Sequence, residues 1–274
     1  MATVTTKLWV GMGVFVLAGS QVELTNHRTP EVGMAKAWAA GQGGEGGEGG
    51  EAGAKAAASK KKRTANERKA DFLKNLTLVE GHLIAGHDLY KANVQDAAKT
   101  HMKHPRSELY SKLAPGFKEF GAPRFDATLE KMVSAVAQGK SFAEVNQAHQ
   151  AVAADIERAR AKVQLNTKAR LLALAQVVRE AGVEYGEGVK EGKIVNAHEY
   201  QDAYGFVKAG LRLLDGAPPT APAEKEAVEQ ARRVMLNLSE SWPSLISEGP
   251  VKLNASEIYS AVSQIELAAS SLKS

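Results

Sequence analysis

Apolar residues recur every three or four positions along nearly the whole chain from residue 65 onward, and this spacing restricts the fold more than any other feature. In residues 66–91 the apolar positions are Phe72, Leu73, Leu76, Val79, Leu83 and Ile84. Residues with this spacing share one face of a helix. No alternation of apolar and polar residues is long enough to predict a strand, so the pattern predicts an all-α protein.

Capping and stop residues indicate where the helices begin and end. Ser141 and Glu144 have the spacing of a capping box at a helix start. The longest helical pattern covers residues 166–191 and stops at Gly192, and the next covers residues 196–214. The pattern as a whole predicts an antiparallel helical bundle made of two packed sub-bundles, residues 65–164 and 165–274.

The N-terminus has the features of an export signal. Lys7 precedes an apolar stretch, residues 8–19, which has the length of a signal-peptide core and is short for a membrane span. Ala18 and Ser20 are small residues that suit cleavage after Ser20. We therefore expect residues 1–20 to be a signal peptide, or alternatively an uncleaved N-terminal anchor, and the protein to be periplasmic.

Residues 21–64 have the composition of a linker. Residues 40–53 read AGQGGEGGEGGEAG, and neither glycine nor solvated glutamate can build a hydrophobic core. We expect this segment to be a disordered tether that lets the helical part stand away from a membrane or a partner.

Composition excludes several classes of function. The chain has no cysteine, which rules out thiolate metal sites, Cys-ligated iron–sulfur clusters and a cysteine nucleophile. The net charge is only +4, and part of the basic excess lies in residues 60–63 (KKKR), so we expect no nucleic-acid partner. The sequence contains no GxSxG, phosphate-loop, Rossmann or HExxH motif. The prediction is a non-enzyme without an identified small-molecule substrate.

One candidate metal-binding cluster lies in the first half of the helical region. Its residues are Glu80, His82, His87, His101 and His104. Glu80 and His87 share a helix face, whereas His82 is rotated away from His87; His101 and His104 share a face of the next helix. Imidazoles with a carboxylate are a common transition-metal ligand set. Two glycines in the first segment indicate close helix approach, and the alternative interpretation is a set of structural histidines at a helix crossing.

A second candidate is an acidic stripe on one helix. Glu180, Glu184, Glu187 and Glu191 are spaced by four, three and four residues, so their carboxylates repel one another unless something neutralises them. Oxygen ligands suit hard cations such as Fe(III). The alternative is a solvated acidic face with no ligand.

The segment after this stripe adds further ligand types. His198, Glu199, Tyr200 and Asp202 lie at the start of the next helix, and Glu199 and Asp202 are three residues apart. A hairpin connection would bring these residues back against the acidic end of the preceding helix.

The C-terminal half resembles a known family. The segment 184–200, EYGEGVKEGKIVNAHEY, is similar to a segment in the helical extracytoplasmic extension of bacterial high-affinity iron permeases, and the placement of Trp242-Pro243 and of residues 265–269 is also similar. The resemblance covers residues 168–272 and implies iron chemistry at Glu184, Glu187, Glu199 and Tyr200. The membrane part of such permeases is missing here, so we expect the chain not to be the transporter itself. The N-terminal half resembles uncharacterised exported proteobacterial proteins.

These observations lead to one predicted function and two alternatives. The prediction is an exported protein that binds a metal ion, iron with copper as the alternative, and delivers it to a membrane transporter. The first alternative is a non-catalytic interaction module of a membrane-associated complex. The second is a haem-binding bundle in which one histidine is an axial ligand.

Overall fold

The computed structural model describes residues 63–216, 218–242, 244–247 and 249–273. The predicted signal and almost all of the predicted tether, residues 1–62, lie outside the described residues. Helices dominate the described part, and their bounds are α1 Ala65–Lys91, α2 Gln95–His104, α3 Tyr110–Phe120, α4 Asp126–Ala137, α5 Phe142–Arg160, α6 Thr167–Gly188, α7 Ala197–Leu213, α8 Pro222–Glu240 and α9 Ala255–Ser270. The all-α prediction is confirmed.

Helix starts follow the local sequence. The hydroxyl of Ser141 accepts a hydrogen bond from the amide of Glu144, whose carboxylate accepts one from the amide of Ser141, which confirms the predicted capping box of α5. Asn196 caps α7 in the same region where its start was predicted. A π-helical segment, Pro105–Leu109, connects α2 to α3 without a loop between them.

The prediction that the sixth helix runs to residue 191 is wrong at its end. α6 ends at Gly188 and is followed by a two-stranded antiparallel hairpin, β1 Val189–Lys190 and β2 Lys193–Ile194. Glu191 and Gly192 both have positive φ, as a two-residue hairpin turn requires. The hairpin sends α7 back along α6, so the return of the chain that the sequence predicted is made by a β-turn.

The helices pack in two groups that share contacts through α1. α6, α7, α8 and α9 pack on one another, while α1 packs on α2, α3 and α5 and also on α6 and α7. One continuous apolar core includes Leu76 and Val79 of α1, Leu174 of α6 and Ile265 of α9. Among the described residues no helix is both long enough and apolar enough to cross a membrane.

The closest helix approach is the crossing of α1 and α7. A side chain at Gly205 would overlap the carbonyl oxygen of Gly81, and a Cβ at Gly81 would lie only 2.6 Å from the ring of Phe206. On the neighbouring turns of α1, a Cβ at Gly86 would lie 3.2 Å from the Cβ of His101 on α2. The close approach indicated by the two glycines of α1 is therefore confirmed, and it determines which polar side chains meet.

Candidate metal centre

Three helices bring four histidines together around one aspartate. α1 supplies His82, α2 supplies His101 and His104, and α7 supplies His198 and Asp202. Two sets of three side chains, His82–His104–Asp202 and His101–His198–Asp202, have ligand atoms within 4.8 Å of one another. Both sets share the carboxylate of Asp202, so we treat these five side chains as one cluster, the His/Asp cluster.

Direct contacts connect every member of the cluster. One oxygen of Asp202, Oδ1, lies 2.5 Å from Nδ1 of His82 and 2.9 Å from Nδ1 of His101. Its other oxygen, Oδ2, lies 3.3 Å from Nε2 of His198, and that same nitrogen lies 3.1 Å from Nδ1 of His104. Ring nitrogens and carboxylate oxygens at these separations can ligate a common ion after small side-chain movements.

The cluster is closed on one side and open on the other. His101, Asp202 and His82 are buried, with residue exposures of 0%, 2% and 5%. His104 and His198 are only partly buried. The cluster therefore has a buried side, formed by His82, His101 and Asp202, and a partly exposed side, formed by His104 and His198.

The tautomer of His101 follows from its second partner. Nε2 of His101 lies 2.9 Å from the side-chain oxygen of Gln201, whose amide nitrogen donates to the backbone carbonyl of Leu245. Nε2 must therefore carry a hydrogen, because an amide oxygen only accepts. The other ring nitrogen, Nδ1, faces the carboxylate oxygen Oδ1 of Asp202 at 2.9 Å.

His82 has a buried nitrogen without a directed hydrogen bond. Its Nδ1 is 2.5 Å from the Asp202 oxygen, yet among the described residues it has no partner with hydrogen-bond alignment. A buried polar atom left unsatisfied costs about 1–3 kcal/mol. The nitrogen and the carboxylate oxygen are therefore in close contact without an aligned hydrogen bond between them.

The electrostatics of the cluster favour a bound cation. Burial alone would raise the pKa of Asp202, but the hydrogen bond from His101 and the proximity of His82 hold that pKa well below its usual value of 3.8. Burial lowers the pKa of His198, and the nearby His101 lowers it further. An ionised carboxylate and a neutral imidazole are the forms of these side chains that bind metals.

A second group, the acidic triad, lies beside the cluster. Glu184 and Glu187 of α6 and Glu199 of α7 have carboxylate oxygens within 4.8 Å of one another. Burial, together with the hydrogen bond and the charge of Glu199, raises the pKa of Glu184 to about 8. Asp202 contributes to the same rise, which shows that the triad and the His/Asp cluster are electrostatic neighbours. In the metal-free protein Glu184 therefore holds its proton at neutral pH.

Three residues of the sequence prediction lie outside both groups. Glu80 is buried between Arg160, at 2.6 Å, and Arg212, at 2.9 Å. The hydroxyl of Tyr200 donates to the backbone carbonyl of Ser244, and its ring packs among aromatic side chains. These contacts give both residues structural partners.

His87 also lies apart from the cluster, because five residues of helix rotate it away from His82. Its two ring nitrogens contact Asp88 and Asn146, and its ring stacks on His149 with 4.3 Å between centroids. His149 is itself buried beside His87, and no pattern in the sequence indicated a histidine pair at this position.

Sequence reasoning named Asp202 as a nearby carboxylate but did not include it among the ligands. It lies four residues after His198, a spacing that puts both side chains on one face of α7. That spacing in the sequence could have indicated Asp202 as a candidate ligand. Gln201, which orients His101, had no signal in the sequence.

Comparison with known proteins gives a family match for the C-terminal half of the chain. The search of curated proteins and the search of solved structures gave no significant match. Among family models, the iron permease-associated 4-helix bundle domain matches residues 160–273, which contain α6 to α9, the acidic triad, His198 and Asp202. The resemblance predicted for the C-terminal half is thereby confirmed, because this half is similar to the iron permease-associated 4-helix bundle domain.

Proposed function

We propose that the protein binds a metal ion in the His/Asp cluster and supports iron uptake by delivering the ion to a membrane iron permease. The family match supports the association with iron permeases. The His/Asp cluster supports the metal binding. The proposal includes export to the periplasm, and mass spectrometry of the mature protein should find an N-terminus near Gln21. An intact chain in the cytosol would contradict export.

The observation that carries the proposal is the convergence of ligand atoms of His82, His104 and Asp202, beside a second set in which Asp202 meets His101 and His198. Hydrogen bonding alone does not satisfy this arrangement, because the His82 nitrogen lacks an aligned partner. A cation placed among these atoms would use the His82 lone pair and neutralise the Asp202 carboxylate. The Gln201 contact would then fix the ring of His101, as hydrogen bonds to the second ring nitrogen of a ligating histidine do in metal sites.

The ligand types narrow the choice of metal. Imidazoles with one carboxylate suit Fe(II), Cu(II) and Zn(II), whereas three carboxylates suit harder cations such as Fe(III). Iron is the favoured ion because the C-terminal half matches a domain associated with iron permeases. Copper is the alternative, because a cluster of imidazoles binds Cu(II) more tightly than Fe(II).

The experiment is a metal titration of the full chain by calorimetry, with Fe(II) under anaerobic conditions and with Cu(II). Asp202→Asn should weaken binding by about tenfold or more, and His198→Gln, at a partly exposed position, should do so without disturbing the core. His149→Gln is the matched control, since it removes a buried imidazole outside the cluster. Equal metal affinity in wild type and in both cluster variants would contradict the proposal.

A further inference from the structure

A cavity of about 610 Å³ lies between α1, α5 and α7. His87 lines this cavity, whereas His82 does not. We propose that this cavity binds a small oxyanion that carries two or more negative charges, such as a multicarboxylate or a phosphate. This site shares no residue with the His/Asp cluster or the acidic triad. It therefore goes beyond the proposed metal binding and can be tested separately.

The charge of the cavity wall favours an anion. Lys208 and Arg212 of α7 line it, against the single carboxylate of Asp88 on α1. That carboxylate already accepts a hydrogen bond from Tyr204, at 3.1 Å, and contacts His87, at 3.2 Å. The remaining wall combines polar side chains, such as Asn146 and Gln150, with the apolar side chains of Ile84 and Ala153.

The two cations have unused donors. The ammonium of Lys208 lies over the ring of Tyr204, at 5.4 Å, and in the described part of the chain no carboxylate lies within ion-pair distance of it. One guanidinium nitrogen of Arg212 donates to Glu80, at 2.9 Å, and a guanidinium has five N–H donors in total. Lys208 and Arg212 are one helical turn apart, about 6 Å along the axis, which matches a ligand with two charged groups.

A largely buried histidine adds a further hydrogen-bonding group to the wall. His149 lies in the wall, stacks on His87, and has no hydrogen bond from its ring nitrogens to any described residue. Burial lowers the pKa of His149 to about 4, and the charges of His87 and Arg212 contribute to this shift. Because His149 and Arg212 both line the cavity, a bound oxyanion could accept a hydrogen bond from the neutral imidazole beside the guanidinium.

The experiment uses the full chain freed of metal, titrated by calorimetry at constant ionic strength. The probes are citrate, tricarballylate, which lacks the metal-chelating hydroxyl, and inorganic phosphate, with acetate as the singly charged comparison. We expect saturable binding of at least one multiply charged probe and no saturable binding of acetate. Binding of the two carboxylates alone identifies the ligand class as multicarboxylate, and binding of phosphate alone identifies it as phosphate.

Variants locate the binding and separate it from the metal centre. Lys208→Gln should weaken anion binding about tenfold, since a charge-assisted hydrogen bond is lost. Lys112→Gln, an equal loss of charge at an exposed position of α3, should leave it unchanged. Asp202→Asn should also leave it unchanged, whatever its effect on metal binding. A non-saturable response to every probe, or the same affinity in wild type and Lys208→Gln, would overturn the proposal.

Discussion

Replacing Glu184 by Gln should change how stability depends on pH. In the metal-free protein, burial and the neighbouring Glu199 raise the pKa of Glu184 from 4.5 to about 8. Between these two values the folded chain holds a proton that the unfolded chain releases. The stability that this proton supplies is fully present below about pH 4.5 and is lost as the pH rises through about 8. Glutamine keeps the shape of the protonated side chain and does not titrate.

The magnitude follows from the size of the pKa change. A rise from 4.5 to about 8 corresponds to at most about 5 kcal/mol between the protonated and ionised forms. The carboxylate is only partly buried, so solvent screening reduces the effect to about 1–2 kcal/mol. Between about pH 5 and pH 8.5, metal-free wild type should therefore lose about 1–2 kcal/mol more unfolding free energy than Glu184→Gln.

The assay is urea unfolding of both proteins at the two pH values, in the absence and presence of Fe(III) citrate. Glu180→Gln is the matched control, because Glu180 lies one turn earlier on α6 and pairs with Lys74 at 3.5 Å. If the triad binds Fe(III), the metal should stabilise wild type and Glu180→Gln but not Glu184→Gln. The same loss of stability with rising pH in wild type and Glu184→Gln would refute the argument.

Two further predictions concern packing and acid stability. Gly205→Ala should lower the unfolding free energy by about 3 kcal/mol in urea, because the new methyl group overlaps the Gly81 backbone, whereas Gly186→Ala, with open space around it, should raise it by up to about 1 kcal/mol. Equal effects of the two substitutions would contradict the close crossing. The lowered pKa of His149 means that the unfolded chain takes up its proton first as the pH falls from 6.5 towards about 4, so this histidine should cost at most about 3 kcal/mol of stability in acid. His149→Gln should show a smaller loss of stability over that range, and an unchanged acid-unfolding profile would contradict the shift.

Local features of the fold were predictable because their causes are local. The predicted start of the first helix, residue 66, differs from that of α1 by one residue, and the Ser141–Glu144 capping box forms as its spacing requires. The end of α6 was not predictable in this way. Gly188 packs against the backbone nitrogen of Tyr200, and the chain leaves the helix there to make the hairpin turn. The partner that ends the helix is twelve residues away and acts through tertiary contact.

The site was predictable in its residue types but not in its grouping. Helix geometry correctly separated His82 from His87, and the sequence placed His101 with His104. It could not show that the crossing at Gly81 and Gly205 sets α1 against α7, which brings these histidines to Asp202. For the same reason the buried ion pairs of Glu80 were invisible, since Arg160 and Arg212 are 80 and 132 residues away along the chain.

The His/Asp cluster combines residues from inside and outside the matched domain. Asp202 and His198 lie within residues 160–273, whereas His82, His101 and His104 come from α1 and α2, outside the match. The acidic triad lies entirely within it. Within the described residues, the matched domain therefore supplies the carboxylates of both groups and one imidazole. The N-terminal helices α1 and α2 add the other three imidazoles of the His/Asp cluster. If the cluster binds a metal as proposed, we expect these added imidazoles to shift its preference from hard Fe(III) towards Fe(II) and Cu(II).

The three imidazoles supplied by α1 and α2 can be tested with Cu(II). Electron paramagnetic resonance of the Cu(II)-loaded full chain should show hyperfine coupling to imidazole nitrogens. Replacing His82, His101 and His104 together by Gln should remove most of that coupling, because only His198 would remain in the cluster. The same variant should retain its stabilisation by Fe(III) citrate if the acidic triad binds that ion, and circular dichroism should show that it still folds. Unchanged nitrogen coupling in a folded triple variant would place the copper elsewhere and contradict a composite centre.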